Sequence, residues 1–116
     1  MAAGYTELFL EQGTSFTVSL TIDDVSGSPF NLSGYTGTAQ MRKSYYSSNA
    51  AANFVVTTGT PTAGIVTLSL EAATTANIYP GRYLYDVVVT SGSTRARVLE
   101  GIVNVTPQVT KTPGML

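Results

Sequence analysis

The chain contains no histidine and no cysteine. With them go the side chain that most often serves as a general base near neutral pH, and the thiolate that serves as nucleophile or metal ligand. A disulfide framework is excluded too, which fits a reducing compartment or a particle that needs no covalent staple. Tryptophan is also missing. Charge is scarce: Asp, Glu, Lys and Arg make up 11% of the residues, where roughly 25% is ordinary for a soluble domain. The formal net charge is −1 and the isoelectric point is near 5.1, so the basic stripe that marks nucleic-acid binding is not there. No apolar run approaches the length that spans a membrane. The start, Met1-Ala2-Ala3-Gly4-Tyr5, has neither a basic n-region nor an apolar h-region, so no signal peptide is expected and the chain is expected to be made in a cytoplasm. These absences leave a protein that works by its surfaces.

What is present is a β-rich pattern with enough apolar content for a core. Hydrophobic residues are 43% of the 116 and mean hydropathy is +0.16. That length suits one domain, which buries about two-thirds of its unfolded surface. Ser and Thr take the polar positions in place of charges. Thr is β-branched and fits an exposed pleated face, and a low-charge face is cheaper to desolvate against another protein.

Alternation sets the elements. Phe16, Val18, Leu20 and Ile22 alternate with Thr17, Ser19 and Thr21, the pattern of a half-buried strand. A first strand over 5–11 precedes it, and a turn over 23–29 follows. Leu32 and Tyr35 are expected to point inward from a short turn. The next strand covers 36–42, and 43–53 reads as a loop with one helical turn near Ala50 to Ala52. Strands over 54–58 and 66–70 flank a turn containing Pro61. Residues 71–78 read as a short helix or turn ended by Pro80-Gly81. Tyr83, Tyr85, Val87 and Val89 alternate with Leu84, Asp86 and Val88, and a strand apolar on both faces should be central. Ser91-Gly92-Ser93 turns the chain into a partner strand over 94–105, with Gly101 as a candidate bulge. Seven or eight short strands without a βαβ rhythm predict an all-β fold, an antiparallel β-sandwich, immunoglobulin-like in the loose sense, with one short helical turn. The expected division is an N-terminal arm over 1–4, one β-domain over 5–106 and an extended C-terminal arm over 107–116.

Few residues invite chemistry. Asp86, between Tyr85 and Val87, is expensive if buried and unpaired. Arg42, Arg95 and Arg97 are its candidate partners in a structural ion pair, and an intersubunit pair is the functional alternative. A buried pair predicts a loss of roughly 3–5 kcal/mol on Asp86→Ala. Asp23-Asp24 with Ser26 and Asn31 offers oxygens but lacks the ligand density of a calcium loop, so the expectation is a solvated turn and no metal. Asn31-Leu32-Ser33 and Asn104-Val105-Thr106 match the glycosylation pattern without a secretory route to give it meaning. No catalytic residue and no cofactor site is expected. Tyr45-Tyr46 in a Ser/Asn loop is the strongest surface-binding candidate, because tyrosine gives large contact area at low entropic cost. Tyr79, Val109, Met115 and Leu116 complete the interface candidates.

Several segments carry a family resemblance: Glu11-Gln12-Gly13, Asn31-Leu32-Ser33-Gly34-Tyr35-Thr36, Gln40-Met41-Arg42-Lys43-Ser44-Tyr45-Tyr46, Gly81-Arg82-Tyr83-Leu84-Tyr85-Asp86, Arg97-Val98-Leu99-Glu100-Gly101 and Val105-Thr106-Pro107-Gln108-Val109-Thr110. Together they resemble small virion structural proteins of tailed bacteriophages, notably those infecting cyanobacteria, and are similar to the N-terminal β-domain of baseplate upper proteins. The resemblance implies a non-enzymatic β-subunit located in the virion in several copies. Its partners would be other virion proteins (the major capsid protein or tail and baseplate proteins) and copies of itself, with neither nucleic acid nor membrane. The leading expectation is an accessory or decoration subunit on the head shell, docking through low-charge strand faces and terminal arms. The alternative is a neck, tail or baseplate adaptor, and a glycan-binding β-sandwich using Tyr45, Tyr46 and Tyr79 is a more remote one.

Overall fold

The computed structural model describes residues 4–23, 26–47, 49–59 and 61–110. Eight strands are formed among them: β1 (Gly4–Tyr5), β2 (Leu8–Glu11), β3 (Phe16–Thr21), β4 (Thr36–Arg42), β5 (Ala52–Thr57), β6 (Ile65–Leu70), β7 (Gly81–Ser91) and β8 (Thr94–Thr106). A 3-10 turn at Pro61–Ala63 and one helical turn, α1 (Ala72–Thr75), complete the described elements. The helical turn expected near Ala50 is absent among the described residues, since Ala52 already opens β5 with its side chain buried. Gly4, assigned from sequence to an arm, pairs with Leu99.

The strand order is β1-β8-β7-β4-β5-β6-β3, with β2 also on β8. This is one continuous sheet curled into a half-barrel, which corrects the expected two-sheet sandwich. The reason lies in β5. Its first half pairs with β4, Phe54 opposite Ala39, and its second half pairs with β6, Val56 opposite Leu68. A strand that changes partner midway turns a corner without breaking the ladder. The sheet is not wholly antiparallel either: β1 and β2 run parallel to β8, with Leu8 opposite Val103 and Glu11 opposite Thr106. Parallel pairing needs a long connection, and here the connection is almost the whole chain.

Period-two alternation places one row of β2 and of β4 through β8 inside. Tyr83, Tyr85, Val87 and Val89 of β7 are buried, as are Ala39 and Met41 of β4, Val66, Leu68 and Leu70 of β6, and Val103 and Val105 of β8. Each buried Val, Leu or Met among them contributes about 1.5–3 kcal/mol by leaving water. Aromatic rings link the two wings: Phe16 lies 6.0 Å from Phe54, and Phe54 6.3 Å from Tyr85. Leu32 is buried as expected, and Tyr35 packs edge-on to Phe30 at 5.6 Å.

The bulge sits elsewhere than Gly101. The β7–β8 register shifts between Val87 and Val88, which face Leu99 and Arg97, so Val98 is the extra residue. Val98 and Leu99 are accordingly both buried although adjacent. Gly101 has another role. It lies against the break between β1 and β2, where an added Cβ would overlap the Thr6 carbonyl. That close approach lets Thr6 N–H donate to Glu100 O at 3.0 Å and the Tyr85 hydroxyl donate to Thr6 O at 2.7 Å. The N-terminal strands are thus held to β8 by backbone ladder and by a phenol from beneath.

Candidate docking surface

Strand direction gathers the candidate residues at one end of the sheet. Arg42 at the close of β4 faces Leu84 near the start of β7, and Gly81 faces Val105 near the close of β8. The loop carrying Tyr45 and Tyr46, the segment carrying Tyr79 and the exit of the chain toward Val109 therefore share this rim. All four are exposed: Tyr46 is 96% accessible, Val109 99%, Tyr45 69% and Tyr79 68%. Met115 and Leu116 lie outside the described residues, as does Asp24 of the candidate calcium turn. Among the described residues no group of three or more acidic side chains could hold a metal.

The rim is built by local hydrogen bonds. The Ser47 hydroxyl accepts from Ser44 N–H at 3.1 Å and Arg42 Nη1 donates to Ser47 O at 3.0 Å, closing a tight turn with the two tyrosines at its tip. Arg42 Nη2 donates to Gln40 Oε1 at 2.9 Å, two residues away on the same face of β4. Lys43 Nζ stands 4.7 Å from the centre of the Tyr83 ring, a cation–π contact. The Tyr83 hydroxyl donates to Tyr79 O at 2.7 Å, fixing the backbone from which Tyr79 projects. Beneath the rim, Thr75 Oγ1 donates to Thr14 O at 2.7 Å and Gln12 Nε2 donates to Ile78 O at 3.1 Å. These bonds attach α1 and the chain after it to the β2–β3 turn. Gln12 is buried and its Oε1 has no protein partner. Burial raises the hydroxyl pKa of Tyr83 above its usual value, and pushes that of Tyr85 up to about 12 with a smaller contribution from Tyr5.

Arg42, Tyr45 and Asp86 do come together. With Gln40, Ser44 and Leu84 they line a shallow hollow of about 170 Å3 on the outer face. Small-molecule sites are usually of about 300–1,000 Å3 and concave, so this one suits a single side chain of a partner better than a sugar or cofactor. The expected ion pair is replaced by another arrangement. Asp86 is half-exposed on the outer face, opposite Gln40 and Glu100. Among the described residues the one ion pair joins Arg97 Nε to Glu100 Oε2 at 3.3 Å. Arg42 is taken up by Ser47 and Gln40, and Arg95 faces Thr90 at the far end of the strand pair. The physical reason is alternation itself: apolar neighbours Tyr85 and Val87 both point inward, which turns Asp86 out. Sequence reading also missed Tyr5 and Phe9, 64% and 68% accessible on β1 and β2. Leu8, Phe9 and Leu10 are all apolar, so composition did not show which faced water.

Similarity to known proteins is one of fold. The N-terminal domain of phage TP901-1 ORF48 superimposes with a TM-score of 0.60, covering 90% of this chain and 98% of that one at 11% sequence identity. No family model and no curated protein matches the chain.

Proposed function

We propose that the chain is a non-enzymatic virion structural subunit of a tailed phage, acting as a tail or baseplate adaptor that docks other virion proteins through its tyrosine-bearing rim. The observation that carries this reading is the fold shared with an N-terminal domain of a phage protein over nearly its whole length. It agrees with the sequence resemblance to the N-terminal β-domain of baseplate upper proteins, and so supports the adaptor over the head-shell subunit first expected. The cyanobacterial host suggested by that resemblance gains no support from the fold. Exposed Tyr45, Tyr46 and Tyr79 supply rigid contact area. The described residues include no helix long and apolar enough to cross a membrane.

Difference cryo-electron microscopy or immunogold labelling of the encoding particle tests the proposal. Density at the tail or baseplate is expected. Density on the capsid lattice would return the subunit to the head shell, and its absence from the particle would remove the virion reading altogether.

A further inference from the structure

The half-barrel is left open along one seam, between β2 and β3. These strands follow each other in sequence across the turn at Gln12 to Ser15, yet they do not pair. Each is an edge of the sheet, and they face each other across an open cleft lined by Glu7, Phe9, Glu11, Thr14, Phe16 and Val18 among others. The inward row of β3 is correspondingly under-covered. Phe16, Val18 and Leu20 are only half-buried, whereas Ala39 and Met41 of β4, Val66, Leu68 and Leu70 of β6, and Tyr83 to Val89 on the inward row of β7 are buried.

The directions of the free backbone groups follow from the ladder. Ile22 N–H donates to Gly64 O at 2.7 Å, so in the β3–β6 register the even-numbered residues of β3 bond to β6. Thr17, Ser19 and Thr21 then present N–H and C=O away from β6, Thr17 into the cleft and the other two along the open edge beyond it, and the 3.0 Å contact between the Ser19 and Thr67 hydroxyls fits a non-hydrogen-bonded pair. On the opposite wall, Thr6 and Gln12 donate to β8, which leaves Glu7 and Phe9 with their backbone groups toward the cleft, while Glu11 O is taken up by the Thr14 N–H and hydroxyl. Natural edges are usually blunted by Lys, Pro or a bulge. β3 reads Phe-Thr-Val-Ser-Leu-Thr and has none of these.

We infer that this seam is a strand-acceptor site: it binds an extended segment of another protein, with alternating apolar side chains and a lysine or arginine, as an added strand on β3. Backbone bonds to Thr17, Ser19 and Thr21 would supply affinity, and apolar side chains would finish covering Phe16, Val18 and Leu20. The basic residue follows from charge. The cleft carries the carboxylates of Glu7 and Glu11 and no cation among its lining residues, and Glu7 is balanced only by a neutral amide, Asn104 Nδ2 at 2.8 Å. This deepens the docking reading above by naming the partner's chemistry, and it is tested on the purified chain without the particle.

The probe is a nine-residue peptide of alternating threonine and valine with lysine at each end, beside a counterpart ending in glutamate. Binding is followed by amide chemical shifts and hydrogen exchange. The lysine-ended peptide should slow exchange of the Thr17, Ser19 and Thr21 amides, and the glutamate-ended one should bind at least about tenfold more weakly. Ser19→Pro removes the outward-facing donor, together with the exposed hydroxyl contact to Thr67, and should abolish binding. Should that variant not fold, the surface double variant Glu7→Lys, Glu11→Lys carries the test by reversing the preference between peptides. Equal binding of both peptides, shifts confined to the Tyr45–Tyr46 loop, no binding at millimolar peptide, or protection of β3 that rises with protein concentration as the chain dimerises would each overturn the inference.

Discussion

Strands β7 and β3 both carry an apolar inward row at every second residue, and the two rows end in different environments. Val87 and Val89 on β7 are sealed at 0% accessibility, while Val18 on β3 is half-exposed. The difference is position in the sheet. β7 lies between β4 and β8, so flanking inward rows cover its own from both sides; β3 has β6 on one side and an open seam on the other. Alternation therefore reports which face a residue occupies, and the neighbours decide how much burial that face yields.

The largest effect that tests this contrast comes from paired truncations of one residue type. Leu68→Ala, in β6 at 0% accessibility, should cost about 3 kcal/mol, whereas Leu20→Ala on β3 should cost about 1 kcal/mol. Urea unfolding of both variants measures the gap. Equal losses would mean that β3 is as well covered in solution as the centre, and the seam would be closed. Gly101→Ala should follow, at about 2–3 kcal/mol, because its Cβ has the Thr6 backbone to displace rather than a flexible side-chain end. Exchange of the Thr6 and Leu8 amides should quicken in that variant, since the damage falls on the parallel β2–β8 side and spares β3.

The parts of this contrast that could be read from sequence were the local ones. The β3, β4, β6, β7 and β8 strands follow from alternation, and the β7–β8 hairpin from Ser91-Gly92-Ser93. The partner change within β5 and the pairing of Leu8 with Val103 leave no local mark, so a single curled sheet looked like a sandwich. Gly101 reads as a bulge from sequence and is not one; its reason is the approach of a segment 95 residues earlier, from Thr6 to Gly101. The exposure of Tyr45 and Tyr46 is legible because they sit in a Ser/Asn-rich polar loop. The seam was invisible because the alternation of β3 shows which of its faces is wet and not whether a neighbour pairs along its edge.

Tyr85 connects the two sides and titrates. Its hydroxyl pKa is pushed up to about 12, chiefly by burial, against about 10 in the unfolded chain. The unfolded state ionises first, so this stabilisation is complete below pH 10 and is lost as pH rises from 10 to 12, by about 2 kcal/mol. Tyr85→Phe should abolish that alkaline loss while removing the bond to Thr6 O, at about 1 kcal/mol near neutral pH. A variant whose stability still falls through the same alkaline window would shift the cause to Tyr83.

The smallest expected effect is the most discriminating for the outer face. Were Asp86 a buried member of an ion pair, its loss would strand a cation and cost several kcal/mol. In the structure it stands half-exposed between Gln40 and Glu100, and Glu100 is engaged by Arg97. Like charges directly opposite on a sheet repel weakly. Removing Asp86 relieves that repulsion and sacrifices little packing, so Asp86→Ala should change stability by less than about 0.5 kcal/mol. Any gain should shrink as salt screens the pair. The measurement is urea unfolding at low and high ionic strength. A loss of several kcal/mol would put a cation against Asp86 and move it from the surface of the docking hollow into the structural frame beneath it.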